Sequence, residues 1–462
     1  MKFNVGNEVN KWLSRGLDRH VRLAVTGLSR AGKTAFITSL VNQLLHTSTN
    51  PNLPLFPPVR DGCIIGAKRV SQPDMCMARF GYDEGMTRLM SSPPTWPEPT
   101  SDVSQIRLAI KYYPQHGALK YVQSDATLYL DIIDYPGEWL LDLPMLAQTF
   151  EEWSAQQFQS MSERRRGLAG EWLNAAAQLD LNSTADENQL AQISQLYTDF
   201  LHQCKQDAGL HWVQPGRFVL PGELAGAPVL QFFPVDPQQL AAADEASSDS
   251  MLALLKQRFE YYKSHVIKPF YKQHFVKFDR QIILVDCLQP LNQGPESFND
   301  MRQAFNYLVD SFRYGRNTLL KRLFSPSIDK VLFAATKADH VTPEQHLNLI
   351  SLMQQMVHEA YQQASFEGIT MDCMSLASIS ATSPGFVSHK GEQMPALRGT
   401  NLQGDACTLF PGEVPKRLPD ANFWQQQGFD FQPFRPAVYP SDEPLPHIRM
   451  DKALQFLLGD KF

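Results

Sequence analysis

The segment Gly27-Leu28-Ser29-Arg30-Ala31-Gly32-Lys33-Thr34 constrains the fold of this chain more than any other. It matches G-x-x-x-x-G-K-S/T in full, and it stands between a strand-like run at 21–25 and a helical pattern at 35–45. In this strand–loop–helix setting, successive backbone N–H groups of the loop point inward at phosphate oxygens. The sequence therefore predicts an α/β fold with a phosphate-binding loop after its first strand.

Different residue types in this loop have different tasks. Gly27 and Gly32 let the backbone wrap, Lys33 adds positive charge at the β and γ phosphates, and Thr34 offers a hydroxyl to Mg²⁺. The helix that follows presents its N-terminus to the anion. The candidate phosphate-binding residues are Gly27, Ser29, Arg30, Ala31, Gly32, Lys33, Thr34 and Ala35.

A second signal lies at residues 130–137, Leu-Asp-Ile-Ile-Asp-Tyr-Pro-Gly, where an apolar strand runs into a D-x-x-G turn. Asp134, at the carboxyl end of the strand, can hold Mg²⁺ through water, and the N–H of Gly137 can reach a γ-phosphate. Asp131 lies three residues earlier, so strand alternation places it on the opposite face of the sheet. We therefore assign the metal role to Asp134 and none to Asp131.

Two later motifs predict a base-binding pocket. In Thr336-Lys337-Ala338-Asp339, the carboxylate of Asp339 can accept hydrogen bonds from N1–H and the exocyclic amine of guanine, a donor pair that adenine lacks. Lys337 can lay its aliphatic stem along the base plane. Ser380-Ala381-Thr382 follows a strand predicted at 371–379 and is placed to form a second wall. The candidate guanine-binding residues are Thr336, Lys337, Asp339, Ser380, Ala381 and Thr382.

The order of elements predicts a mostly parallel α/β sheet, a large helical insertion and an extended C-terminal segment. Further strand-like runs at 105–113, 127–133, 281–285 and 330–335 alternate with helix-like segments. The predicted boundaries are a first part of the nucleotide-binding domain at 1–137, a helical insertion at 138–276, a second part of the nucleotide-binding domain at 277–383, and a Pro- and aromatic-rich segment at 384–462 whose final helix (448–458) packs on the body.

Composition and targeting signals limit the expected location and partners of the protein. The 42 Lys and Arg against 48 Asp and Glu give a formal net charge of −6, which provides no general attraction to nucleic acid or to an anionic membrane. Six scattered cysteines without a CxxC pair, no signal peptide and no long apolar run indicate a cytoplasmic protein. An amphipathic start at 9–17 and the cluster Arg164-Arg165-Arg166 leave peripheral association with the inner membrane open, although a solvated face is the favoured interpretation of the arginines.

Together the phosphate loop, D-x-x-G, T-K-x-D and S-A-x occur in the chain order of the G-domain GTPases, which this sequence resembles. The segment Thr26-Gly27-Leu28-Ser29-Arg30-Ala31-Gly32-Lys33-Thr34 and the large insertion between Gly137 and Gln281 resemble the YcjX-like family of bacterial stress-associated P-loop GTPases. The likeness extends over the full length of the chain. It implies binding of GTP and GDP, GTP hydrolysis and a role in the stress response.

Two departures from the common GTPase pattern bear on catalysis. Many small GTPases carry a water-positioning Gln after D-x-x-G, whereas this chain has Glu138, so that task falls to a carboxylate or to a group elsewhere. Arg30 stands three residues before Lys33, where guanylate-binding and atlastin-like GTPases use an internal arginine finger. The alternative is that Arg30 points into solvent or pairs with an acid. The candidate catalytic residues are Arg30, Lys33, Gly137 and Glu138.

A switch I threonine is expected just before the second strand of a G domain, where its hydroxyl completes the magnesium shell. Thr100 is the first choice and Thr95 the second, so the candidate metal ligands are Thr34, Asp134 and Thr100. The leading hypothesis is a Mg²⁺-dependent GTPase with slow intrinsic turnover that changes the docking surface of the helical insertion for an unknown protein partner. A nucleotide-gated interaction protein with negligible hydrolysis and a P-loop ATPase remain as alternatives.

Overall fold

The protein is described by a computed structural model that covers most of the chain. The described residues are 19–27, 30–99, 102–115, 125–243, 247–273, 277–313, 328–366, 368–389, 392–420, 422–426 and 429–462. The helix predicted at 9–17 lies outside these ranges. They group into two compact units, the first made of Met1–Tyr135, Phe278–Asn292 and Pro326–Phe462 and the second of Pro136–Lys277 and Gln293–Ser325.

The strands form a large sheet and a small one. In chain order they are β1 (Arg19–Gly27), β2 (Ile64–Val70), β3 (Ala78–Arg79), β4 (Ser104–Tyr112), β5 (Ala126–Asp134), β6 (Arg280–Val285), β7 (Lys330–Ala335), β8 (Thr370–Ser375), β9 (Ser383–His389), β10 (Glu392–Thr400) and β11 (Ala406–Leu409).

The α-helices occupy both units. In chain order they are α1 (Lys33–Leu45), α2 (Pro57–Arg60), α3 (Tyr82–Leu89), α4 (Phe150–Gln159), α5 (Glu163–Leu168), α6 (Gly170–Ala177), α7 (Glu187–Gln206), α8 (Gly216–Val219), α9 (Pro237–Ala242), α10 (Met251–Tyr262), α11 (Lys268–Gln273), α12 (Leu288–Gln293), α13 (Pro295–Arg313), α14 (His346–Met356), α15 (His358–Phe366), α16 (Phe423–Gln426) and α17 (Met450–Leu458). Short 3₁₀ segments lie at Gly137–Ala147, Gly222–Leu224, Pro228–Leu230, Ala338–His340, Pro343–Gln345 and Gly459–Lys461, and a π-helical turn at Lys263–Ile267.

The large sheet of the first unit has the order β2-β4-β5-β1-β6-β7-β8, with β3 paired to β4. Strands β5, β1, β6, β7 and β8 run parallel, whereas β2, β4 and β5 pair antiparallel at the other edge. This arrangement confirms the predicted α/β class with a mostly parallel sheet. Because parallel strands need crossover connections, helices cover the sheet and bury its apolar side chains.

One apolar core is shared by the sheet and two helices. Alternate residues of β1 and β5 (Val21, Leu23, Val25, Leu128, Leu130 and Ile132) pack with the buried face of α1 and with α17. The terminal helix predicted at 448–458 is therefore present as α17, beginning at Met450. It packs against the sheet through Leu454, Leu457 and Leu458.

The C-terminal segment contains regular structure that its irregular Pro and aromatic pattern did not predict. Strands β9, β10 and β11 form a separate antiparallel sheet in the order β11-β10-β9. In addition, the strand predicted at 371–379 ends at Ser375, and Ala377 instead forms an isolated antiparallel bridge with Ile448. The segment beyond β8 is thus held by backbone pairing as well as by aromatic packing.

The second unit is helical around an aromatic core, in which Trp153 packs edge-on against Phe232 and in tilted contact with Phe259. The apolar stripe predicted on one helix, from Leu190 to Cys204, is the buried face of α7. Asp186 caps that helix by accepting hydrogen bonds from the N–H groups of Asn188 and Gln189. Within the ranges described above, no helix has the length and apolar character needed to cross a membrane.

The arginine cluster of the second unit is divided between surface and interior. Arg164 and Arg166 are exposed, as expected for a solvated face. Arg165 is buried instead: its guanidinium contacts Asp300 at 2.5 Å and donates to the carbonyl of Trp212 at 2.7 Å. The solvated-face interpretation is wrong for Arg165, because α5 turns this side chain into the unit while its neighbours face water.

A buried acid, Asp142, lies in the 3₁₀ segment Gly137–Ala147 of the second unit. Its Oδ1 accepts the N–H of Gly216 at 2.7 Å and its Oδ2 accepts the hydroxyl of Tyr262 at 2.6 Å. Burial raises the pKa of Asp142 to about 7, although these hydrogen bonds favour the charged form. This carboxyl group therefore titrates near neutral pH.

Candidate functional site

The phosphate loop begins where β1 passes very close to β6. A Cβ atom on Gly27 would lie 2.5 Å from the carbonyl oxygen of Leu284, so only glycine fits there. Gly32 has φ +81° and stands immediately before α1, whose first hydrogen bond joins Phe36 N–H to the Gly32 carbonyl at 2.9 Å. A side chain at Gly32 would be strained in this left-handed conformation. The geometry of the loop therefore requires glycine at both positions of the motif.

The side chains of the loop differ in exposure. Ala31 is buried, Lys33, Thr34 and Ala35 are half-buried, and Arg30 is exposed with φ +63°. Among the residues that the structure describes, none forms a hydrogen bond or ion pair with the side chain of Arg30 or Lys33. Two cationic groups thus flank the N-terminus of α1, where an anion is favoured. Ser29 lies outside the described residues, so its predicted role stays a prediction.

Asp134 ends β5 beside the phosphate-loop strand, since it is in register with Val25 of β1. Its side chain is fully buried. A carboxylate here and the hydroxyl of Thr34 are hard oxygen donors of the kind that Mg²⁺ binds together with phosphate oxygens and water. The donor set therefore fits Mg²⁺. Within the described ranges, no group of three or more His, Cys, Asp or Glu side chains forms a metal site made by protein alone.

The neighbouring acid Asp131 has a structural role, in agreement with its predicted position on the other face of the sheet. It accepts two hydrogen bonds from Arg107 of β4, at 2.7 and 2.6 Å, and one from Gln105 at 2.5 Å. Arg107 is its cross-strand neighbour. This buried ion pair joins β4 to β5.

Of the two switch I candidates, Thr100 lies outside the described residues. Thr95 is exposed, and its N–H donates to the carbonyl of Arg88 at the end of α3. One residue further on, the indole N–H of Trp96 donates to the carbonyl of Phe434 at 2.8 Å. The Pro-rich approach is therefore tied to the C-terminal segment at Trp96.

Gly137 and Glu138 belong to the second unit, in which both are buried. The carboxylate of Glu138 contacts the ammonium of Lys205 on α7 at 2.8 Å. Its carbonyl packs so tightly against Gly216 that a Cβ there would lie 2.1 Å away. Glu138 is therefore built into the packing of the second unit, a role that its place after D-x-x-G did not predict.

The predicted base-binding motifs meet at Asp339. Its Oδ2 accepts the N–H of Ala381 at 2.9 Å, and its backbone carbonyl accepts the hydroxyl of Thr382 at 2.5 Å. No described residue donates to its other carboxylate oxygen, Oδ1. The S-A-x loop thus orients the carboxylate by one oxygen and leaves the second for a ligand. Ser380 takes part through its hydroxyl, which donates to the carbonyl of Thr382 at 3.0 Å.

Thr336 and Lys337 join the motif to the neighbouring strand. The N–H of Thr336 donates to the carbonyl of Val285, the last residue of β6, at 2.9 Å. Lys337 has φ +58°, a conformation that costs a non-glycine residue roughly 1 kcal/mol or more. Its ammonium contacts the buried carboxylate of Asp286 at 2.5 Å.

The C-terminal segment holds the S-A-x loop in place. Tyr439 donates its hydroxyl to the carbonyl of Ser380 at 3.0 Å, and the N–H of Ser380 donates to Pro446 at 2.8 Å. Leu445 accepts from the Gln43 side chain and donates to Asn42, both on α1. Residues 439–446 therefore bridge the phosphate-loop helix and the base-binding loop, a contribution that no sequence signal indicated.

Taken together, the phosphate loop on β1 and the motifs after β5, β7 and β8 lie at the carboxyl ends of neighbouring parallel strands. This is the edge where open α/β sheets bind ligands. The arrangement defines a P-loop fold of the G-domain type.

The particular family follows from comparison with known proteins. A family model described as the YcjX-like family, DUF463, matches residues 21–462, and the chain belongs to this family. It is 54% identical over 459 residues to a protein of Escherichia coli (strain K12) named Ras-like GTPase YcjX, with 98% of each chain covered. A protein of the same name from Shewanella oneidensis is 46% identical over 465 residues, covering 97% of this chain and 96% of that one.

Proposed function

We propose that this protein is a Mg²⁺-dependent switch that binds GTP and GDP and hydrolyses GTP slowly. The observation that carries the proposal is the arrangement of Asp339, whose carboxylate is oriented by the N–H of Ala381 at the same sheet edge as the phosphate loop. An oriented carboxylate selects guanine by its N1–H and exocyclic amine. The relatives named Ras-like GTPase support the same assignment.

In this proposal the phosphate loop binds the nucleotide through backbone N–H groups, and Lys33 balances the charge of the β and γ phosphates. Thr34 and Asp134 would hold Mg²⁺, with Thr100 completing the shell; the ion supplies charge neutralisation on the phosphates. Gly137 reports the γ-phosphate. The base is bound by Asp339, Lys337 and Thr336 together with the 380–382 loop.

For hydrolysis, Arg30 is the residue that we propose to stabilise the transition state. Its guanidinium is exposed, and the described structure provides no partner for it. A positive charge that is not already neutralised is suited to meet the charge that develops on the phosphoryl oxygens. Glu138 takes the place of the usual water-positioning Gln, and slow intrinsic turnover is expected from this change.

A second candidate function is a nucleotide-gated interaction protein with negligible hydrolysis. The ion pair between Glu138 and Lys205 favours it, because a carboxylate held by a cation is a poor base for water. In both functions the helical second unit, 138–276 in the predicted boundaries, presents the surface for a protein partner. A cytoplasmic location, a link to the stress response and the absence of a nucleic-acid partner complete the proposal.

The test is calorimetric titration with GDP, a non-hydrolysable GTP analogue and ATP in Mg²⁺, followed by a phosphate-release assay. The proposal expects guanine-selective binding that Lys33→Ala abolishes. Phosphate release over hours supports the GTPase, and its complete absence with tight GTP binding supports the second candidate. Equal or preferential binding of ATP refutes the guanine assignment and leaves a P-loop ATPase.

A further inference from the structure

Asp286, the first residue after β6, is a buried acid that the base-binding motifs do not include. Its Oδ2 contacts the ammonium of Lys337 at 2.5 Å, and its Oδ1 accepts the N–H groups of Leu288 and Gln289 at 3.0 and 3.2 Å. One oxygen thus caps the start of α12, and the other engages the lysine of the T-K-x-D motif. The two tasks are carried by different atoms of one carboxylate.

The charge of Asp286 is maintained by its surroundings. Burial by itself raises the pKa of this carboxyl, but the charge and hydrogen bond of Lys337, with the N–H of Gln289, bring the pKa below its usual value. Asp286 is therefore ionised at neutral pH. The side chain of Lys337 remains 33% exposed although its ammonium is paired with Asp286.

The backbone conformation of Lys337 is also imposed by its surroundings. The left-handed φ of +58° is uncommon for lysine and persists only where the surroundings enforce it. The 3₁₀ turn Ala338–His340 follows directly, and the ion pair fixes the far end of the side chain. Without the ion pair, the flexible four-carbon stem would sample many rotamers.

We propose that Asp286 is a positioning residue for nucleotide recognition, which holds the stem of Lys337 in the place where the purine base lies against it. This inference rests on the proposed function, since it requires a nucleotide at the site. Asp286 touches no part of the base. It acts through Lys337, and its effect is on affinity for any purine that Asp339 accepts.

The test separates this role from the cap on α12. In Asp286→Asn the amide oxygen still caps the helix, because Asn is as good an N-cap residue as Asp, but the negative charge that binds Lys337 is lost. Calorimetry with GDP and IDP is the readout. IDP lacks the exocyclic amine, so the ratio of the GDP and IDP affinities measures the contact with Asp339. A change that affects both affinities equally measures the contact with Lys337.

We expect Asp286→Asn to weaken GDP and IDP binding equally, by about tenfold or more, which is the scale of one hydrogen bond to a charged group. The matched control is Asp131→Asn. It removes the charge of a different buried acid of the same unit, which is paired with Arg107, and we expect it to leave both affinities at the wild-type level. In a double-mutant cycle, Asp286→Asn adds no further loss to Lys337→Met.

Several outcomes overturn the inference. They are unchanged affinity in Asp286→Asn, a loss that adds fully to that of Lys337→Met, or a changed GDP-to-IDP ratio. Asp286→Ser, which also keeps a capping oxygen, is the second variant. If neither variant folds, the carboxylate serves the fold rather than Lys337 and the inference is wrong. If the wild-type protein does not prefer guanine nucleotides, the proposed function fails instead.

Discussion

Replacing Asp339 with asparagine is the sharpest test of base recognition, because the structure predicts which way the new amide faces. Oδ2 of Asp339 accepts the N–H of Ala381 at 2.9 Å. An asparagine has a single oxygen acceptor, and the Ala381 N–H retains it. The NH₂ group then takes the place of Oδ1, the oxygen with no donor among the described residues.

The expected magnitude follows from this orientation. Oδ2 can accept the guanine N1–H beside the Ala381 N–H, so the amide loses only the bond between Oδ1 and the exocyclic amine, about 1.5–3 kcal/mol, and leaves two facing donors unpaired, about 1–3 kcal/mol more. We therefore expect Asp339→Asn to lose about 10²- to 10⁴-fold in GDP affinity. Xanthine carries a carbonyl where guanine has the exocyclic amine, so XDP can accept from the new NH₂ group and its affinity rises.

The assay is calorimetric titration of both proteins with GDP, XDP and ADP. Asp131→Asn serves as the matched control, since Asp131 binds Arg107 of β4 and its loss affects no predicted base contact. The reasoning is refuted if Asp339→Asn binds GDP within about threefold of the wild type, or if GDP affinity falls without a gain for XDP. The second result would mean that the amide does not take the orientation set by Ala381.

Three further predictions concern the phosphate loop, Tyr439 and the buried acid Asp142. Lys33→Ala abolishes binding of all nucleotides, whereas Arg30→Ala retains GTP binding and lowers the rate of phosphate release; calorimetry and single-turnover assays distinguish the two. Tyr439→Phe removes the hydroxyl that donates to Ser380, so the melting temperature falls and GDP affinity drops severalfold, as thermal unfolding and titration would show. Asp142 has a folded pKa of about 7, above its usual value. Its ionised form is therefore disfavoured in the folded protein, which lowers the free energy of unfolding by the full amount above pH 7 and by progressively less as the pH falls toward 4. The gain in unfolding free energy of Asp142→Asn over the wild type is therefore larger at pH 8 than at pH 5, measured by urea denaturation.

Much of the sheet was predictable because its strands are apolar runs with clear ends. The run at 105–113 differs from β4 by one residue at each end, and the run at 330–335 coincides with β7. The small sheet was not predictable for the opposite reason. Pro384 and Pro395 lie inside β9 and β10, and proline cannot donate to a ladder, so the pattern indicated extended chain rather than paired strands.

The candidate site was predictable only where local geometry carries the function. The two glycines of the phosphate loop are required by a close approach and a positive φ, and both constraints are visible in the spacing of the motif. Asp286 and Tyr439 reach the base-binding loops from segments distant in sequence. A single sequence contains no periodicity or spacing that pairs Asp286 with Lys337, because ion pairs between separate strand ends depend on the register of the folded sheet.

Glu138 occupies a predicted motif position, but the contacts of its side chain could not be predicted from the sequence. Its place after D-x-x-G left two possibilities open, a carboxylate acting on water or a group elsewhere. The structure places its carboxylate against the ammonium of Lys205 and its backbone carbonyl against Gly216. A carboxylate paired with a cation is a weaker base toward water than an unpaired one. If Glu138 positions water, the ion pair with Lys205 competes with that task. Lys205→Met, which removes this cation, is then expected to change the pH profile of phosphate release, and an unchanged profile would exclude Glu138 from the step.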